Sequence, residues 1–291
     1  MTRLARRSVL IGAGATLWGT ARLARAADAA TRLPTRVIVV GGALAEVVYA
    51  LGQSQRLVAT DTTCTYPEAA ARLPKIGYQR TLSAEGLLAL RPDRVLASAE
   101  AGPPGVLQQI GAAGVTVTRF TESHDVDAVR AKIDGVAQAL GAVDAGARLR
   151  RDFDARWATA QAAVSAAPLA GKRVLFLLNP AGNQPMVAGR HTAADAMIAY
   201  AGARNVTQDV DGYKALSPEA LVGAAPDVVL TTSDSLQAAG GPAALLAGPG
   251  FAATPAGRAG RVVALDTLLM LGFGPRLPEA VTQLHGRLRA A

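Results

Sequence analysis

One stretch of this chain is written twice. "LSAEGLLALRPDRVL" runs from Leu82 to Leu96, and "LSPEALVGAAPDVVL" runs from Leu216 to Leu230. Leu82, Ser83, Glu85, Leu87, Pro92, Asp93, Val95 and Leu96 each recur 134 positions later. Just upstream, Gly77-Tyr78 is echoed by Gly212-Tyr213. Each copy predicts a serine-capped helix with a glutamate in its first turn, a Pro-Asp turn and a buried strand. A spacing of 134 residues is too long for a solenoid repeat and suits one domain. The repeat therefore predicts two lobes of similar build, which a chain of 291 residues can hold. A common α/β unit occurring twice by chance is the bland alternative.

The segments around the repeat alternate. "RVIVVGG" predicts a buried strand, "ALAEVVYALG" a helix closed by Gly52, and "RLVAT" the next strand. "DRVLAS", "VLQQIGAAG" and "VTVTRF" continue the series. Strands alternating with helices imply parallel sheets covered on both faces. Gly41-Gly42 lacks the spacing of a nucleotide loop and reads as a tight strand-to-helix turn. Between Asp144 and Ala167, apolar Leu149, Phe153, Trp157, Ala160 and Val164 follow helical spacing, and Pro168 closes the run. The predicted fold class is α/β: two Rossmann-like lobes with central parallel sheets joined by one long helix. The boundaries are 34–142 for the N-terminal lobe, 143–167 for the linking helix and 168–291 for the C-terminal lobe. A cleft between two such lobes is a favoured ligand site.

Residues 1–26 have a basic start, a short apolar run and an Ala24-Arg25-Ala26 ending, the layout of an export signal cleaved after Ala26. Arg6-Arg7 before Ser-Val-Leu partly matches a twin-arginine signal. The segment carries five arginines and no acid, so the net charge of +8 falls to +3 without it. That is too little to argue for nucleic acid, and no basic run or interleaved aromatics survive. One cysteine, Cys64, excludes an internal disulfide. One cysteine and three scattered histidines also argue against a zinc or manganese cage. No nucleophile elbow appears, and Asp152 and Asp154 are expected on the solvated face of the long helix. The chain reads as a soluble exported protein without stable membrane insertion, and not as an enzyme.

The stretch from Val37 to Ser98, with "DTTCTYP" followed by "LPKIGYQRTLSAEG", resembles the N-terminal lobe of bacterial haem-binding proteins that feed ABC-type haem importers. "AGRHTAADAMIAYAGARNV" and "GYKALSPEALVGAAPDVVL" resemble the C-terminal lobe of the same family, the helix-linked (class III) periplasmic binding proteins. The resemblance covers essentially all of 35–290. It implies a periplasmic, monomeric carrier with ferric haem b as transported ligand, a permease dimer with its ATPase as partner, and an outer-membrane haem receptor upstream.

Tyr66 is the expected iron ligand. It lies in the loop after the second strand, where an open sheet presents loops to a cleft, and phenolate suits ferric iron. A tyrosine packed at a loop edge is the alternative. Cys64 departs from the serine expected there and is a further candidate ligand. Arg72, Lys75, Arg80 and Lys214 are candidates for a cation beside the phenol. Arg80 and Arg190 are candidates for the propionates, since the guanidinium fork suits carboxylates. His191, next to the expected cap Thr192, is the candidate second ligand or else plain polar surface; His124 and His285 are expected to be exposed. Tyr78 and Tyr213 are expected to line the cleft or play a structural part. The resemblance makes Glu85 and Glu219 docking groups for the transporter, and helix-dipole partners on the bland reading. The same fold also suits a ferric siderophore or cobalamin, and a haem-handling enzyme is the competing class.

Overall fold

A computed structural model describes residues 33–121, 123–178 and 186–291. The expected export segment lies outside the described residues. Along the first half run β1 (Val37–Val40), α1 (Gly42–Ala50), β2 (Leu57–Thr60), α2 (Glu68–Ala71), α3 (Ala84–Ala89), β3 (Arg94–Ala97), α4 (Pro104–Ala112), β4 (Thr116–Arg119) and α5 (Val126–Ala139). The long α6 (Val143–Ala166) follows. The second half contains β5 (Arg173–Leu178), β6 (Met186–Ala188), α7 (Ala193–Tyr200), β7 (Arg204–Asn205), β8 (Tyr213–Ala215), α8 (Pro218–Ala224), β9 (Val228–Thr232), α9 (Ser233–Ala238), α10 (Pro242–Leu246), α11 (Pro255–Ala259), β10 (Val262–Leu265), α12 (Thr267–Leu271) and α13 (Leu277–Ala290).

The first sheet has the order β2-β1-β3-β4 and is parallel throughout. In the second, β7, β5, β9 and β10 reproduce that order and direction. The second sheet also carries an antiparallel β6, and β8 beyond it, which the α/β alternation does not signal.

The repeated segment occupies the same place in both sheets. β3 lies beside β1 as β9 lies beside β5. Ser83 caps α3 by accepting from the Gly86 N–H, and Ser217 caps α8 by accepting from the Ala220 N–H. Each helix is followed within two residues by one of positive φ, Arg91 at 48° and Ala225 at 45°. Asp93 then accepts from the backbone N–H of Arg36 at 3.1 Å, and Asp227 from that of Arg173 at 2.9 Å. Each aspartate thereby ties the end of the repeat to the strand beside it. Gly77 and Gly212 both hold positive φ, 94° and 71°, ahead of Tyr78 and Tyr213.

The central parallel strands of both sheets are buried on both faces. Val37, Val39 and Leu96 face one core while Ile38, Val40, Val95 and Ala97 face another. Val174, Phe176, Val228 and Leu230 likewise face away from Leu175, Leu177 and Val229. The first of these cores runs unbroken from β1 through α5, α6 and β5 to α13. A shared core of this kind resists large relative motion of the halves.

Ion pairs fasten α6 to α5. Arg130 reaches Asp154 at 2.8 Å, and Arg150 reaches Asp134 at 2.6 Å and Asp154 at 3.2 Å. Asp154 is therefore a bridging carboxylate and not a merely solvated one, while Asp152 pairs with Arg156. His285 corrects an expectation of exposure. It is buried on α13 with Nδ1 2.9 Å from the Ala201 carbonyl, because the apolar stripe of α13 turns it toward α7. His124 is half-buried, edge-on to Phe273.

Candidate functional site

Loops at the C-terminal ends of both sheets meet across the two halves. The loop after β2 is fastened from within. Buried Asp61 accepts from the N–H groups of Gly41 at 2.8 Å and Thr63 at 2.9 Å. The Cys64 thiol donates to the same carboxylate at 3.1 Å. Burial, and then the Asp61 charge, push that thiol well above its usual range. The fully buried thiol, turned to Asp61, faces its own loop and argues against Cys64 as an iron ligand. The Lys75 ammonium donates to the carbonyls of Cys64 (2.9 Å), Ala70 (3.0 Å) and Asp61 (3.3 Å), and to the Thr60 hydroxyl (2.9 Å). Lys75 thus staples the loop, and Arg72 pairs with Glu68.

From this loop Tyr66 projects with 46% of its surface exposed. The cation beside it is none of those expected. Arg276, which directly precedes α13, lays its guanidinium 3.6 Å from the centre of the Tyr66 ring. Glu46 on α1 grips that guanidinium from behind, with Nε at 3.0 Å and an Nη at 2.5 Å. The pair is deeply placed, with side-chain exposures of 15% for Arg276 and 4% for Glu46. Burial raises the Glu46 carboxyl above its usual range, and the hydrogen bond to Arg276 opposes the shift. A fork held by a buried carboxylate is a fixed positive plate against the phenol. Glycines permit the close approach: a Cβ on Gly42 would lie 2.5 Å from Leu268, and one on Gly274 3.1 Å from Glu46.

A second group gathers around Arg80. Its guanidinium meets Glu100 at 2.5 Å, and the Gln79 amide donates to the other Glu100 oxygen at 2.9 Å. Tyr78 from the same half and Tyr213 from the other lie within the field of Arg80. Tyr78 is 43% and Tyr213 37% exposed. Partial burial, and next the Glu100 charge, push Tyr213 up to about 12, with Arg80 and Thr192 opposing. Both echoed tyrosines thus bear on the Arg80 charge.

On the C-terminal side, His191 sits at φ 60°, a left-handed conformation uncommon outside glycine and worth a functional reading. Its side chain is 78% exposed, and Nδ1 lies 3.0 Å from Asp211 Oδ1. A carboxylate only accepts, so Nδ1 is the donor in this bond and Nε2 takes no part in it. The hydrogen bond from His191 holds the Asp211 carboxyl below its usual range, with Arg190 and Lys214 adding to the effect. Thr192 caps α7 by accepting from the Asp195 N–H at 3.2 Å. Arg190 and Lys214 are exposed beside this pair. Glu85 and Glu219 lie elsewhere, exposed in the first turns of α3 and α8.

Sequence reasoning missed Arg276, Glu46, Glu100 and Asp211. Glu46 and Arg276 are 230 positions apart, and no local pattern joins them. The Asp preceding Gly212-Tyr213 was a readable signal, since its neighbours were already singled out.

The periplasmic binding protein family model matches residues 37–268. Among solved structures, the periplasmic heme-binding protein BhuT in complex with two hemes is 64% identical, with a TM-score of 0.85 and 88% of this chain and 98% of that chain covered. The periplasmic heme-binding protein RhuT from Roseiflexus sp. RS-1 is 42% identical, with a TM-score of 0.84 and the same coverages, 88% and 98%. A periplasmic heme binding protein from Pseudomonas aeruginosa is 38% identical, with a TM-score of 0.78 and coverages of 89% and 94%. The chain therefore belongs to the periplasmic binding protein family, in the same group as these haem-binding members.

Proposed function

We propose that this protein binds haem between its two halves and delivers it to an ABC importer. The halves are the N-terminal lobe 34–142 and the C-terminal lobe 168–291, joined by the helix 143–167. One observation carries the reading: an exposed phenol at the C-terminal end of a parallel sheet, backed by a guanidinium that a buried carboxylate holds in place. In this reading Tyr66 ligates ferric iron, and the Arg276 cation offsets the charge of the bound phenolate. Arg80, Arg190 and Lys214 meet the propionates, while Tyr78 and Tyr213 pack against the macrocycle.

His191 supplies a ligand from the opposite half. Asp211 holds the imidazole by Nδ1, as carboxylates do behind many metal-bound histidines, and leaves Nε2 for iron. Two ligands on opposite walls suit two stacked haems as well as one. Residues 1–26 direct export and are removed after Ala26. Glu85 and Glu219, at matching places in the two halves, orient docking on the permease dimer.

The test is selectivity and stoichiometry. Purified mature protein titrated with hemin should saturate at one or two equivalents and ignore cyanocobalamin and ferric siderophores. Tight binding of cyanocobalamin with no hemin uptake contradicts the proposal.

A further inference from the structure

Arg80 already has a carboxylate. Glu100 pairs with it at 2.5 Å, and Gln79 holds the second Glu100 oxygen at 2.9 Å. Gln79 is itself positioned, its amide oxygen accepting from Ser98 at 3.2 Å. Glu100 is thus held by two successive residues, the Arg80 guanidinium and the Gln79 amide. Any carboxylate ligand reaching Arg80 meets an acid of the same type, in the same fork. Two carboxylates on one exposed guanidinium repel each other, and each weakens the hold of the other.

Resting on the haem reading above, we propose that Glu100 is an internal competitor for the propionate. It exchanges with the ligand carboxylate on Arg80 and speeds release to the transporter. Glu100 returns to Arg80 as the propionate leaves, so the guanidinium never stands unpaired along the exit path. Retention is then weaker than the cleft could provide, which suits a carrier that must surrender its cargo.

The experiment measures hemin release into excess apomyoglobin from the wild type, Glu100→Gln and Glu100→Ala, at low and high salt. Glu100→Gln should release hemin about three- to fivefold more slowly, the scale of an exposed ion pair. The difference should shrink when salt screens it. Hemin dimethyl ester, which lacks free carboxylates, should leave both proteins at the same rate. In an Arg80→Gln background the gain from Glu100→Gln should diminish. Unchanged or faster release from both Glu100 variants overturns the inference, as does an equal effect on the ester or an undiminished gain without Arg80. Those results leave the haem reading standing, whereas a wild type that takes up no hemin ends both. Matching thermal midpoints for the variants exclude misfolding as the cause.

Discussion

Replacing Arg276 with Met removes the cation from Tyr66 and exposes what it is worth. A guanidinium 3.6 Å above the ring centre stands roughly 5 Å from the phenol oxygen, and at an effective dielectric constant of about 20 that is roughly 3 kcal/mol. Tyr66 is half-exposed and the Glu46 charge cancels part of the cation's field, which together reduce the value to about 1.5 kcal/mol, or roughly tenfold in affinity. Arg276→Met should therefore bind hemin about tenfold more weakly while retaining a tyrosinate-type spectrum. It should also lose about 3–5 kcal/mol of stability, because buried Glu46 is left without its partner. The pH dependence has a definite sign. The folded Glu46 carboxyl titrates above its unfolded value, so its contribution is full in acid and is lost as pH rises through the folded value. Without Arg276 the shift grows, and the stability deficit against wild type should be smaller at pH 5 than at pH 8. Glu46→Gln/Arg276→Met should recover much of the stability but not the affinity. Urea unfolding at both pH values and hemin titration of all three proteins read these outcomes. Hemin affinity in Arg276→Met equal to wild type refutes the electrostatic role.

Other predictions follow from the loop and the helix starts. Lys75→Met leaves the carbonyls of Cys64 and Ala70 without their ammonium, and urea unfolding should show a loss of about 2–3 kcal/mol together with a broadened haem spectrum. Cys64→Ser keeps a donor to Asp61, so the hemin spectrum should be unchanged and stability should shift by no more than about 1 kcal/mol. Glu85→Ala/Glu219→Ala should leave hemin affinity intact and reduce haem transport by the importer reconstituted in vesicles, with the loss largest at low salt.

The parts of this molecule that local sequence dictates are legible in the sequence itself. The repeat foretold two matching strand-helix units because caps, turns and strand alternation are all settled within about fifteen residues. The long helix was legible from its stripe, and Thr192 from its place ahead of α7. What stayed hidden depends on contacts between distant segments. Arg276 follows "LGFGP", a run that reads as a turn, and only folding brings it onto Tyr66. Lys75 is by sequence a candidate cation for the phenol, yet four oxygens of its own segment surround it. The β6–β8 pair adds a short antiparallel edge whose three-residue strands carry too little pattern to read.

The most direct test is the ferric spectrum of the hemin complex, compared between the wild type and Tyr66→Phe with Tyr78→Phe and Tyr213→Phe as controls. The account predicts a tyrosinate-to-iron charge-transfer signature in the wild type and both controls, and its disappearance in Tyr66→Phe. The same signature surviving in Tyr66→Phe would place the iron elsewhere and contradict the account.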